Sequence, residues 1–157
     1  MNEVRGSFDA RGRRFALVAA SFNEIVVDKL VEAAVACFRA HGIAEDDLLV
    51  VWTPGAFELP LLAKRLATSG LYDAVVCLGA VVRGETAHFD YVAREAARGI
   101  QQVSMETGVP VLFGVLTTEN IAQALDRAGG KHGNKGWDSA MAAMQVVSVL
   151  DGLLDKE

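Results

Sequence analysis

The run Gly79-Ala80-Val81-Val82-Arg83-Gly84-Glu85-Thr86-Ala87-His88-Phe89 holds the most chemically suggestive spacing in the chain. An apolar stretch enters a glycine turn and then opens a helical pattern. The freed N–H groups of Glu85 and Thr86, with the Thr86 hydroxyl beside them, make an anion site. His88 falls in the first helical turn. There the positive end of the helix dipole favours a neutral imidazole, able to take a proton at pH 7. The other two histidines lack this setting. His41 ends a helix, as a partner for its C-terminal dipole, and His132 sits in an exposed glycine-rich loop.

Three further loops carry candidates. In Ser21-Phe22-Asn23, Asn23 is a plausible N-cap, and Phe22 is either a packing aromatic or a platform for a flat heterocycle. In Thr53-Pro54-Gly55-Ala56-Phe57-Glu58-Leu59-Pro60, the Glu58 carboxylate either favours a helix dipole or accepts hydrogen bonds from a polyol. Arg127, Lys131 and Lys135 surround the loop Gly129 to Gly136. They are either helix-end and solvated charges or a phosphate-recognising set, in which Arg supplies a planar fork. There is no P-loop, no G-x-G-x-x-G, no nucleophile elbow and no zinc-ligand spacing, so no metal or tightly bound redox cofactor is expected.

The elements that must position these loops alternate in type. Phe15 to Ala20, Leu48 to Thr53, Ala74 to Val82 and Val111 to Leu116 read as strands. They are apolar throughout, as suits strands covered on both faces. Helices are expected over Glu24 to His41, Phe57 to Thr68, about His88 to Thr107, Glu119 to Ala128 and Lys135 to Leu154, with Thr118 capping the fourth and Gly129-Gly130 ending it. Strand–helix alternation implies a parallel four-stranded sheet in a three-layer α/β/α sandwich, flavodoxin-like, with ligands at the carboxyl ends of the strands.

The 157 residues fit one domain, residues 1–157, expected to expose roughly 7,600 Å². Hydrophobic residues make up 52% and charged residues 22%, an apolar surplus that points to subunit interfaces. A net charge of −5 without basic runs argues against a nucleic-acid partner. The N-terminus lacks the apolar core of a signal peptide, and the longest apolar run, Ala74 to Val82, is about half a membrane span. Cys37 and Cys77 lie in apolar segments and read as small buried thiols, so a reduced, cytoplasmic protein is expected.

Five blocks then carry a resemblance: Ser21-Phe22-Asn23-Glu24, Pro54 to Pro60, Leu78 to Val92, Phe113 to Thr118, and Gln123 to Gly136. Their order and spacing resemble the 6,7-dimethyl-8-ribityllumazine synthase family, over nearly the whole chain. The resemblance implies condensation of 5-amino-6-(D-ribitylamino)uracil with 3,4-dihydroxy-2-butanone 4-phosphate, without a cofactor. It implies sites between neighbouring subunits of a pentamer, twelve of which form an icosahedral shell in many members, with riboflavin synthase as a candidate partner. Asn2 to Gly6 would add a strand to a neighbour's sheet. By the same resemblance, Phe22 would stack on the pyrimidine and Glu58 would hold ribityl hydroxyls, with Ala56 and Phe57 in the same pocket. The backbone of Ala80, Val81 and Val82 would read the uracil edge. Glu85, Thr86 and a neighbour's Arg127 would hold the phosphate, His88 would move protons, and the neighbour's Phe113 would close the pocket with help from Lys135. Two positions depart from the family pattern: Ser21 replaces a usual Arg, and Thr53 a usual Val. The rival readings are a flavin- or lumazine-binding module and a purely structural shell protein. His88 together with the phosphate set favours catalysis, since a riboflavin binder needs neither.

Overall fold

The computed structural model describes residues 1–154; the last three residues of the range expected for one domain lie outside the described residues. Strands β1 (Phe15–Ala20), β2 (Leu48–Thr53), β3 (Ala74–Val82) and β4 (Val111–Thr118) form one parallel sheet in the order β2-β1-β3-β4. Helices α1 (Glu24–Ala40), α2 (Leu59–Thr68), α3 (His88–Thr107), α4 (Ile121–Asp126) and α5 (Lys135–Leu154) complete the expected α/β/α sandwich.

The pleat of β1 sorts its residues between two cores. Phe15, Leu17 and Ala19 face α1 and α5, while Ala16, Val18 and Ala20 face α2 and α3. The first core is anchored by Phe15 stacked on Phe38 of α1, ring centroids 4.5 Å apart. Burying each ring contributes up to about 3 kcal/mol. The α1 stripe of Val27, Leu30, Ala34 and Phe38 is buried as its periodicity requires, and Gly42, at φ 92°, turns the chain out of the helix. His41 Nδ1 lies 2.6 Å from the Cys37 carbonyl, so this imidazole closes the helix end.

Several expectations need correction. Only β1 and β3 are almost wholly buried. The outer strands are covered incompletely: Trp52 of β2 and Phe113 and Thr117 of β4 are exposed, because no further strand of this chain flanks either edge. The fourth helix is short, and its cap is Asn120, whose side chain accepts from the Gln123 N–H at 2.9 Å. Thr118 instead extends β4 and donates to the Asn120 carbonyl. Asn23 makes no side-chain cap. Gly129-Gly130 does not end a helix; it belongs to β5 (Ala128–Gly130), which pairs antiparallel with β6 (Gly133–Asn134). The segment Asn2 to Gly6, expected to pair in a neighbour's sheet, pairs with no strand of its own chain, as that expectation requires. That segment lies along α5, with Gln145 Nε2 donating to the Arg5 carbonyl at 3.2 Å.

At the amino end of the sheet, Asp73 ties the strand starts together. Its carboxylate accepts from the Arg14 N–H at 2.8 Å, and its own N–H donates to the Arg14 carbonyl at 2.8 Å. Arg13 pairs with both Asp73 and Asp151, which brings the end of α5 into the same cluster. No helix among the described residues is long and apolar enough to cross a membrane.

Two outcomes follow from this packing. A Cβ on Gly136 would overlap the Leu30 backbone where α5 starts against α1. Gly136→Ala should therefore cost about 2 kcal/mol or more, seen as a Tm lower by roughly 4–8 °C at matched protein concentration. Both cysteines are free and buried, and burial pushes Cys37 up to about 11 and Cys77 up to about 12. Neither thiolate forms appreciably at pH 8. An aromatic disulfide reagent should find no reactive thiol in the native protein at that pH and both after denaturation.

Candidate active site

β3 pairs with β1 only as far as Ala19↔Leu78, but its pairing with β4 continues to Val82↔Thr118. The strand edge from Ala80 to Val82 therefore opens into the space that β1 has left. This is the switch point of the sheet, where β1 leads its crossover to β2 on one side and β2 leads back to β3 on the other. A cleft of about 660 Å³ occupies it.

Loops from three strands supply the walls. Phe22 comes from the exit of β1, Ala56, Phe57 and Glu58 from a 3-10 turn after β2, and Ala80, Val81, Val82, Thr86 and His88 from β3 and the start of α3. The turn after β2 is fixed by the Glu58 N–H donating to the Gly55 carbonyl at 3.3 Å, and Pro60 starts α2. Phe22 is 73% exposed and Phe57 60%, so neither ring is held by the core. The Glu58 carboxylate is half-buried and meets no hydrogen-bond donor among the described residues. Tyr91 and Val92 join the lining, although sequence reasoning did not single them out. They follow His88 by three and four residues on one helix face, and that periodicity was a signal that could have found them.

The turn Gly84 to Ala87 is exposed. The Glu85 and Thr86 N–H groups donate to no acceptor among the described residues, and the Thr86 hydroxyl lies 3.4 Å from the His88 N–H. Glu85 itself stands beside the cleft without lining it. No Lys or Arg lines this cleft. The nearest cation in sequence, Arg83, is already engaged. Its Nε donates to Glu119 at 2.8 Å, its Nη1 reaches Asp90 at 3.4 Å, and its guanidinium lies 4.4 Å from the Phe89 ring centroid. Arg83 thus braces the start of α3, and the turn at Glu85 and Thr86 has no free positive charge beside it in sequence.

The remaining expected residues lie elsewhere. Phe113, Arg127 and Lys135 line a second cleft of about 430 Å³ on the open side of β4, together with Thr117, His132 and Asp138. No residue lines both clefts. The β5–β6 hairpin explains the convergence of the two cations. Arg127 directly precedes β5, Lys135 directly follows β6, and Ala128 pairs with Asn134 between them. The Lys135 N–H donates to the Arg127 carbonyl at 2.9 Å. Arg127 Nη1 donates to the Gln123 carbonyl at 3.1 Å. Among the described residues no carboxylate forms a salt bridge with Arg127, Lys131 or Lys135, and of the charged side chains lining this cleft Arg127 and Lys135 outnumber Asp138. His132, exposed as expected, is also part of its wall.

One chain thus carries an apolar cleft bordered by unpaired turn N–H groups and His88 but no cation, and a separate cleft lined by Arg127, Lys135, His132, Asp138 and the exposed Phe113. Comparison with known proteins gives the family of the chain. Residues 12–151 match the family model described as 6,7-dimethyl-8-ribityllumazine synthase. A relative from Clostridium kluyveri, named 6,7-dimethyl-8-ribityllumazine synthase, is 49% identical over 150 residues, covering 96% of this chain and 97% of the relative.

Proposed function

The chain belongs to the 6,7-dimethyl-8-ribityllumazine synthase family, and we propose that its catalytic site forms where the first cleft of one copy meets the second cleft of another. The reaction is the condensation of 5-amino-6-(D-ribitylamino)uracil with 3,4-dihydroxy-2-butanone 4-phosphate, a step of riboflavin biosynthesis. The observation that carries the shared site is the division of labour between the clefts. The turn at Glu85 and Thr86 and the imidazole of His88 border a cleft that no Lys or Arg lines, while Arg127 and Lys135 line a cleft that lacks that turn and His88. The exposed surface, 8692 Å², exceeds by about 1,100 Å² that of a monomer this size, which supports a partner of the same kind.

In this reading one domain supplies both halves. Phe22 stacks on the pyrimidine, and the backbone at Ala80, Val81 and Val82 reads its polar edge. Glu58 accepts from ribityl hydroxyls, with Ala56 and Phe57 in the same wall. The N–H groups of Glu85 and Thr86 bind the phosphate together with Arg127 of a second copy. Phe113 and Lys135 of that copy close the pocket. The 5-amino group attacks the ketone, and water leaves to give an imine. His88 takes the proton from the carbon bearing the hydroxyl as phosphate departs. The resulting enol becomes a ketone, the ribitylamino nitrogen attacks it, and a second water leaves on ring closure. Orientation is the main service, since the substrates are reactive by themselves.

The assembly in this reading is a homopentamer in the cytoplasm. The short loop from Gly129 to Gly136, the form the resemblance associates with shell-forming members, favours a sixty-subunit shell. Riboflavin synthase, which consumes the product, is the partner this reading names. No cofactor is required.

Mixing the protein with both substrates should accelerate lumazine fluorescence over the uncatalysed control, with one phosphate released per lumazine. No acceleration by assembled protein would overturn the assignment. His88→Ala should slow turnover by roughly 10²-fold or less, within the range of general acid–base catalysis. Arg127→Ala should raise KM for the butanone phosphate far more than for the pyrimidine, by steady-state kinetics with each substrate varied in turn. Equal losses for both substrates would contradict the phosphate role.

A further inference from the structure

Asn23 is the single non-glycine residue with positive φ among the described residues, at φ 62° and ψ 41°. Side chains other than those of Asn and Asp rarely accept this left-handed conformation. Its use here is local. Ser21 N–H donates to the Thr53 carbonyl at 2.8 Å and Phe22 N–H to the Pro54 carbonyl at 2.9 Å, so the chain leaving β1 still follows β2. One residue later it must reverse and start α1, and the Asn23 carbonyl already accepts from Val26 and Val27 at 3.0 and 3.1 Å. The left-handed turn at Asn23 reconciles the two directions. Its side chain, which makes no helix cap, donates from Nδ2 to the Ala80 carbonyl at 2.8 Å.

We infer that Asn23 is a positioning residue that sets the separation between the Phe22 ring and the polar edge of β3. This inference rests on the synthase reading above, and it concerns how that pyrimidine pocket is held. Phe22 is too exposed for packing to orient it, so its direction comes from the backbone on either side. The amide of Asn23 fastens that backbone to Ala80, the first of the three β3 residues that line the cleft. Stacking surface and hydrogen-bonding edge are thereby one unit. The butanone phosphate end, at Glu85 and Thr86, is outside it.

Three variants test this. Asn23→Gly keeps the left-handed turn and loses only the amide bond; Asn23→Ala loses both. Asn23→Ala should raise KM for the ribitylaminouracil roughly tenfold or more, and Asn23→Gly only about threefold, with KM for the butanone phosphate within about twofold of wild type in both. Wild-type KM values for both substrates in Asn23→Ala, parallel rises for both substrates, or Asn23→Gly no better than Asn23→Ala would each overturn the inference. Should Asn23→Ala fail to assemble, Asn23→Asp carries the test. Asp accepts the turn but its carboxylate cannot donate to Ala80, so pyrimidine KM should rise alone. Wild-type protein run alongside separates the two readings: no acceleration there fails the synthase assignment, whereas wild-type turnover with unmoved variants fails this inference alone. Titration with the fluorescent lumazine product reads the same pocket without turnover, and the same order of variants is expected.

Discussion

β3 outlasts β1, and the functional end of the molecule depends on that mismatch. β1 has six residues and β3 has nine, with their starts in register through Phe15↔Ala74. A parallel ladder that stops on one side and continues on the other leaves strand backbone at the floor of a cleft, where loops from three strands can reach it. The register is held from below by the Arg14–Asp73 exchange and from within by two cores packed against the alternating faces of β1. A shift of one residue would turn the apolar set of β1 over and also bury or expose the wrong edge at Ala80. Stability and site geometry therefore share one cause.

Much of this was legible in the sequence. The runs FALVAA, LLVVWT and AVVCLGAVV are short, apolar and bounded by turn residues, and all three strands have the expected limits. α3 and α5 also begin and end where their patterns do. The end of β4 was missed because Thr117 and Thr118 are polar, although pairing with the long β3 carries the strand through them. The β5–β6 hairpin was illegible for a different reason. Its residues, Ala-Gly-Gly and Gly-Asn, offer no hydrophobic alternation, and backbone pairing alone makes it. That hairpin brings Arg127 and Lys135 together, so the basis for the second cleft was hidden with it. Asn23 does stand at the N-cap position of α1, but its left-handed backbone and its amide bond to Ala80 in place of a capping bond were not legible, because Asn favours both roles.

Electrostatics gives the two clefts their meaning. Arg83 could have neutralised a bound phosphate, but Glu119, Asp90 and Phe89 hold it as a brace. Arg127, Lys131 and Lys135 have no carboxylate partner among the described residues. In the proposed shared site, a charge-assisted hydrogen bond from Arg127 to a phosphate seated on the N–H groups of another copy would satisfy both deficits at once. In this account assembly and catalysis are one requirement, because an isolated chain holds every functional group and no complete site.

Subunit complementation tests that claim most directly. His88→Ala chains keep the cationic cleft, and Arg127→Ala chains keep the imidazole cleft. Co-expressed in equal amounts and assembled at random, they should place a wholly wild-type site at about one junction in four, half the junctions being right on each side. The account predicts butanone-phosphate-saturable activity in the mixed oligomer well above either parent, near a quarter of wild type. Activity no higher than the average of the two parents, in oligomers shown to contain both chains, would contradict it.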